Sequence, residues 1–510
     1  MTSEKDGFSL EMEAIGSLFQ GFATTVQPIN LFYCFFGTLI GTFIGVLPGI
    51  GPAGTIALLL PATYHLNPVS AMIMLAGICY GCMYGSSTTS ILLNIPGEPS
   101  SVITCLDGYQ MARKGRAGLA LSLSAVGSFV AGTVSVIGLV FLAPALAKFA
   151  LRFGPPEYFS LMVMSLSIVT YLARISMLMG LMMACLGLIV GTVGMDPINA
   201  TPRFAFGIRS LYDGLTLPAV MMGLFGISEV LENLGAFIKQ EVYGGAIKNY
   251  FGKWKDWKQA GPSVGRGTLI GFFMGIFPGV GAIVPTIISY VVEKRVSKHP
   301  ERFGTGELEG VAAPEACNNA AVGGTFVPLM SLGIPSNPMT AMLLAALMIY
   351  GLHPGPLLIK ESPDLFWGVI ASMYVGNVML LVLNLPLIPM WVKVLKIPYE
   401  YLYTGILVFC LIGAYSINNS PTDVIIMIVS GFIGYLLRAF RYELAPFILA
   451  LVLEPIMEPA FRRSLLKSQG SLSIFVTHPL SAVFLAVAFM AFILPLVMKK
   501  RLGEGLDRED

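Results

Sequence analysis

Charge is scarce in this sequence. Of 510 residues, 12% are Asp, Glu, Lys or Arg, where a soluble domain carries about 25%. So few charges cannot coat a surface that faces water on all sides. The net charge of +2 supplies no basic field for a polyanion and argues against a nucleic-acid partner. Histidine is rarer still. His65, His299, His353 and His478 each fall near the end of an apolar run, where an interfacial position is expected. No His-Glu-x-x-His pattern occurs, and no histidine lies in a polar stretch, so an enzyme embedded in the membrane has no base or metal set to work with. Seven cysteines sit mostly in apolar runs. The "CYGC" of Cys79 and Cys82 has neither a βαβ context nor a second ligand pair, and reads as helix packing. The first residues, "MTSEKDGFSLEMEA", lack the basic start and short apolar core of a signal peptide, so the first apolar helix is expected to direct insertion.

What is abundant is apolar length. Hydrophobic residues make up 55% of the chain and mean hydropathy is +0.76. Continuous runs long enough to cross a hydrocarbon core recur from end to end. They do not alternate as barrel strands would, so the reading is an all-α polytopic membrane protein.

The stretch "VLPGIGPAG" tests that reading, because Gly49, Gly51 and Gly54 fit a dinucleotide loop. A spanning apolar segment precedes it instead of a short strand, and no acidic residue follows at about 20 positions. Self-comparison explains it better. "GTLIGTFIGVLPGIG" (37–51) and "GTLIGFFMGIFPGVG" (267–281) are identical at ten of fifteen positions, 230 residues apart. "LLNIPGEPSS" (92–101) likewise resembles "SLGIPSNPMT" (331–340). The chain therefore divides into an N-terminal segment 1–27, a first membrane repeat 28–236, a basic linker 237–262, a second repeat 263–498 and a tail 499–510. Equivalent loops differ in basic charge. "DGYQMARKGRAG" is basic and its counterpart "GLHPGPLLIKESPD" is not, while "PATYHLNP" is uncharged and "EKRVSKHPERFG" is basic. The positive-inside rule then predicts inverted repeats, with about 12 membrane segments, some broken or re-entrant.

Duplicated helical membrane proteins bind substrate between their repeats on broken helices. The two Pro-Gly breaks, Pro48-Gly49 and Pro278-Gly279, free backbone groups that lipid cannot satisfy. Two polar stretches follow. The first carries Ser86, Ser87, Thr88, Thr89 and Asn94; the second Asn318, Asn319, Thr325, Ser336 and Asn337. Their hydroxyls, with half-helix N-termini, suit substrate carboxylates, and Asn side chains with freed carbonyls suit Na⁺. Glu98, Asp107 and Glu315 flank these stretches and read either as cation or proton ligands or as interfacial caps. No cofactor is expected beyond the coupling ion. A stand-alone transporter or a channel for another small anion is the competing class.

"GTFIGVLPGIGPAGTIALLLP", "YGSSTTSILLNIPGEPSSVITCLDGYQMARKGRAGLAL", "FFMGIFPGVGAIVPTIISYVVEKR" and "APEACNNAAVGGTFVPLMSLGIPSNPMTAMLLAALMIYGLHPGP" resemble the large membrane subunit of tripartite tricarboxylate transporters, the TctA type. The resemblance covers about residues 30–460. It implies a multi-pass protein of a bacterial inner membrane, acting with a small membrane subunit (TctB type) and a periplasmic substrate-binding protein (TctC type). Together these would import an organic carboxylate such as citrate on a Na⁺ or H⁺ gradient. No ATPase is implied, and no G-x-x-x-x-G-K-[ST] occurs. The chain departs from the family's usual "YGGSTT" in having Ser86, which adds a hydroxyl and stiffens the backbone.

Overall fold

The computed structural model describes residues 2–47, 51–173, 176–233, 249–395 and 399–506. Pro48 and Gly49 of the first break, and part of the basic linker, lie outside the described residues. In chain order the main helices are α1 (Thr2–Thr25), α2 (Pro28–Val46), α3 (Pro52–Thr63), α4 (Pro68–Leu93), α5 (Val102–Met111), α6 (Ala117–Ala150), α7 (Pro155–Tyr171) and α8 (Met177–Gly191). They continue with α9 (Trp254–Gly275), α10 (Ile283–Val296), α11 (Glu309–Leu332), α12 (Pro338–Ile349), α13 (Pro363–Asn384), α14 (Tyr399–Asn418), α15 (Pro421–Ala439), α16 (Leu444–Lys467) and α17 (Pro479–Leu506). Six helices among the described residues are long and apolar enough to cross a membrane, and shorter apolar helices accompany them. The protein is an all-α multi-pass membrane protein.

Two compact units form, residues 1–148 with 218–435, and residues 149–217 with 436–510. Each therefore draws on both sequence halves.

In the first unit the sequence repeat reappears as repeated packing. Cβ atoms added at Gly37, Gly41 and Gly45 would sit within 2.5 Å of the carbonyl oxygens of Met74, Ile78 and Cys82. At Gly267, Gly271 and Gly275 they would meet those of Ala313, Cys317 and Ala321 within 2.3 Å. Each stripe advances four residues at a time on both partners, so α2 runs parallel to α4, and α9 to α11. Glycine at every fourth position removes the side chains that would hold the backbones apart. Asn30 accepts from Ser70 at 2.6 Å, which aligns the starts of α2 and α4. The helix between them must then run back. At 12 residues α3 is roughly 18 Å long, well short of a hydrocarbon core. In the second half Ser263 and Arg266 near the start of α9 bond Glu293 at the end of α10, an antiparallel return in the same place. Pro278-Gly279 thus lies at the bend of a helical hairpin, and α2 and α3 form the matching hairpin of the first repeat.

The second unit pairs α8 with α16, where Gly187 abuts the Phe447 carbonyl, and α7 with α17, where Ser160 and Ser481 hydroxyls meet at 2.7 Å. His478 bonds Glu157 at 2.7 Å at the end of this second pair, while the other three histidines are exposed at helix ends. A short hairpin, Gly194–Met195 with Pro202–Arg203, is tied down by charge. Arg203 makes a bidentate pair with Glu458, and Arg462 bridges Glu458 and Asp196. The amides of Asn199 and Ile198, with Arg462, hold the Asp196 carboxyl down at about 2. A depressed carboxylate contributes stability above its unfolded pKa and loses it as pH falls through the folded one. Hydrogen exchange at the Ile198 and Asn199 amides, taken relative to intrinsic rates, is therefore expected to stay slow from neutral pH to about 4 and to accelerate only as pH approaches 2. In Asp196→Asn it is expected to be fast throughout; equal protection in the variant would show that the charge does not order the hairpin.

Candidate functional site

The second polar feature of each repeat is a helix that stops and restarts. α4 ends at Asn94 and α11 at Gly333, both left-handed, with φ of 58° and 70°. Asn and Gly are the residues that accept that conformation at a helix end. Four residues beyond each, Glu98 and Asn337 cap the next helical segment, which opens on Pro99 or Pro338. Each cap forms a reciprocal box with the residue three further on. Ser101 Oγ accepts the Glu98 N–H, and Thr340 Oγ1 accepts the Asn337 N–H. "IPGEPSS" and "IPSNPMT" are thus one structural device used twice, and Asn94, which is exposed, is accounted for by its backbone.

The breaks and the caps come together. The Gly279 N–H, at φ 89°, donates to the Ser336 carbonyl at 2.9 Å beside the buried Pro278. In the first repeat Thr89 Oγ1 donates to the Val46 carbonyl at 2.6 Å, and Gly97 packs on the Gly45 carbonyl. Part of the backbone freed by each break is therefore satisfied by protein. The remaining polar atoms are distributed unequally. Ser86 and Thr325 bond back to their own helices, at Met83 and Val322. The Thr88 side chain makes no hydrogen bond among the described residues, and the buried Ser336 hydroxyl lacks a partner. The buried Tyr80 and Tyr84 hydroxyls are likewise unpartnered.

Two networks join the halves. Asn318 accepts from Ser100 at 2.9 Å and donates to Glu98 at 3.4 Å. One turn earlier on α11, Glu315 is completely buried and accepts three hydroxyls from three helices of the first repeat. These are Ser87 at 2.5 Å, Ser124 at 2.8 Å, and Thr104. Asn319 donates to Ser128 at 2.6 Å alongside.

Asp107 is placed differently from the other two acids. It is also fully buried, but its carboxylate accepts the backbone amides of Gly304, Gly306 and Glu307 and the Tyr290 hydroxyl. These donors anchor the turn before α11. Sequence reasoning grouped Glu98, Asp107 and Glu315 as equals, whereas the structure joins only Glu98 and Glu315 to the polar seam. It missed Ser100, Thr104, Ser124 and Ser128. Ser100/Thr104 and Ser124/Ser128 are spaced by four, which puts each pair on one helix face. That spacing was the available signal, but the α11 residues they face lie about 200 residues away in sequence.

The sequence model of the family described as "Tripartite tricarboxylate transporter TctA family" matches residues 31–449. The chain is 47% identical over 493 residues to a protein from Agrobacterium vitis, covering 96% of this chain and 98% of that one. That relative is described as "Uncharacterized 52.8 kDa protein in TAR-I ttuC' 3'region". A second A. vitis protein, described as "Uncharacterized protein in TAR-II ttuC' 3'region", is 47% identical over 227 residues, covering 44% of this chain and 94% of its own length. No solved structure matches the chain.

Proposed function

Because this chain belongs to the tripartite tricarboxylate transporter TctA family, whose members work as one component of a tripartite system, we propose that it is the large translocation subunit of a binding-protein-dependent importer. It carries an organic carboxylate, a tricarboxylate such as citrate or a related acid, across a bacterial inner membrane on a Na⁺ or H⁺ gradient. A small membrane subunit and a periplasmic binding protein complete the system. The observation that supports this reading most is the pair of capped restarts, at Glu98 and at Asn337, one beside the end of α2 and the other beside the Pro278-Gly279 bend. Restarted helices present N–H groups to an anion inside the protein. Nearby, Thr88 and Ser336 have hydroxyls free for a ligand. Asn318 ties the first restart to the second repeat, so movement of one repeat against the other would remake the site and alternate its access.

Uptake of radiolabelled citrate into proteoliposomes holding all three components tests this. Thr88→Val and Asn318→Leu are expected to cut the initial rate by roughly 10-fold or more, the effect of losing one buried polar partner. Variants that insert normally and transport at the wild-type rate would sink the assignment of the site.

A further inference from the structure

We propose that Glu315, with Ser87, Thr104 and Ser124, is a binding site for a monovalent hard cation, Na⁺, built across the two repeats. The inference rests on the transport reading above and names its coupling ion and where that ion sits.

The donor set decides it. Two carboxylate oxygens and three hydroxyl oxygens converge in the interior of one unit. All are oxygen, which suits hard cations and not thiophilic or imidazole-binding metals. One carboxylate among neutral hydroxyls matches a single positive charge; no cluster of three or more His, Cys, Asp or Glu able to hold a metal ion occurs among the described residues. Nor is any Lys, Arg or His buried among them, so nothing fixed in this interior balances Glu315.

Comparison with Asp107 sharpens the point. Three of the four donors to Asp107 are backbone N–H groups. An amide can only aim its hydrogen at the carboxylate, which repels an arriving cation. All three donors to Glu315 are hydroxyls, which carry lone pairs as well as a proton. A hydroxyl can rotate its proton to the carbonyl one turn back and offer oxygen to an ion. Ser87 is already placed for this, with its Oγ 3.3 Å from the Met83 carbonyl. The other titratable groups facing this interior are Glu98, held by Asn318 Nδ2, Cys105, whose thiol donates to the Ser101 carbonyl, and Tyr84, whose hydroxyl is unpartnered and lies within electrostatic reach of Glu315. Because the carboxylate comes from one repeat and every hydroxyl from the other, an ion here would favour the arrangement in which they meet. That is what coupling to an alternating motion requires.

The test is equilibrium binding of radioactive sodium to the purified full-length chain, with no substrate and no partner subunit. Saturable binding that excess potassium does not displace is expected. Glu315→Gln should weaken it at least about 100-fold, and Thr104→Val with Ser124→Ala, which keep the charge, roughly 10-fold. Each variant must first elute as a monodisperse species. Should Glu315→Gln not, the charge-preserving pair carries the test. Wild-type affinity in these variants, potassium binding as tightly as sodium, or no sodium binding by the wild type would each overturn the site. If citrate uptake is then driven by a pH gradient alone, the transport reading survives without it. Sodium binding lost in Glu315→Gln, with no citrate uptake under either gradient, would support the ion site and move the failure to the substrate.

Discussion

Gly271→Leu is expected to leave no folded protein in detergent. A single added Cβ at Gly271 would lie 2.2 Å from the Cys317 carbonyl oxygen and 2.9 Å from its carbon and Cα. These are backbone atoms of a fully buried helix, so no rotamer change relieves the clash and α9 must move off α11. Overpacking a dense interior costs typically 1–3 kcal/mol and occasionally more. Leucine adds three further carbons to that first contact, against a total stability of about 5–15 kcal/mol. Gly271→Ala is the graded version, expected to fold with a stability loss of about 2 kcal/mol. Gly265→Ala on the same helix meets nothing within 4 Å and should be neutral or gain up to about 1 kcal/mol from helix propensity. Size-exclusion profiles after stepwise heating read all three. An alanine at 271 that melts with the wild type would mean the two helices do not pair as closely as described.

The next largest effect is expected at Asp107. Asp107→Ala removes the acceptor of four donors at once: the Glu307 amide and the Tyr290 hydroxyl, both buried, the half-buried Gly306 amide and the exposed Gly304 amide. Each unsatisfied buried polar group costs about 1–3 kcal/mol. Even with relaxation, a loss of roughly 4 kcal/mol is expected, at the extreme of single substitutions. Asn at this position keeps one acceptor but points an NH₂ at fixed N–H donors, so Asp107→Asn should also destabilise clearly. Glu315→Gln should cost less, because the hydroxyls around it can turn and accept from the new amide. The order Asp107→Asn below Glu315→Gln in melting temperature separates an acid that anchors backbone from one held in adjustable hydroxyls. The reverse order would contradict that distinction.

Residue types and their order were enough to determine the membrane solvent, the helical class, the duplication and the family, because each is written in local composition or in similarity between segments. The Pro-Gly breaks and the "IPGEPSS" and "IPSNPMT" restarts were also legible, since helix interruption is a local backbone property and recurs at matched positions. What each polar side chain does was decided only in three dimensions. Ser86 and Ser87 are adjacent on α4, yet one bonds its own helix and the other reaches Glu315, because neighbours on a helix point about 100° apart. Asp107 and Glu315 are both fully buried carboxylates, yet one meets amides and the other hydroxyls. That difference lies in what α5 and α11 are packed against, across roughly 200 residues of chain. The division into units had the same origin. Each unit draws on both repeats, because Glu315 meets Ser87, Thr104 and Ser124 in the first unit and Gly187 meets the Phe447 carbonyl in the second, contacts that join segments from different repeats.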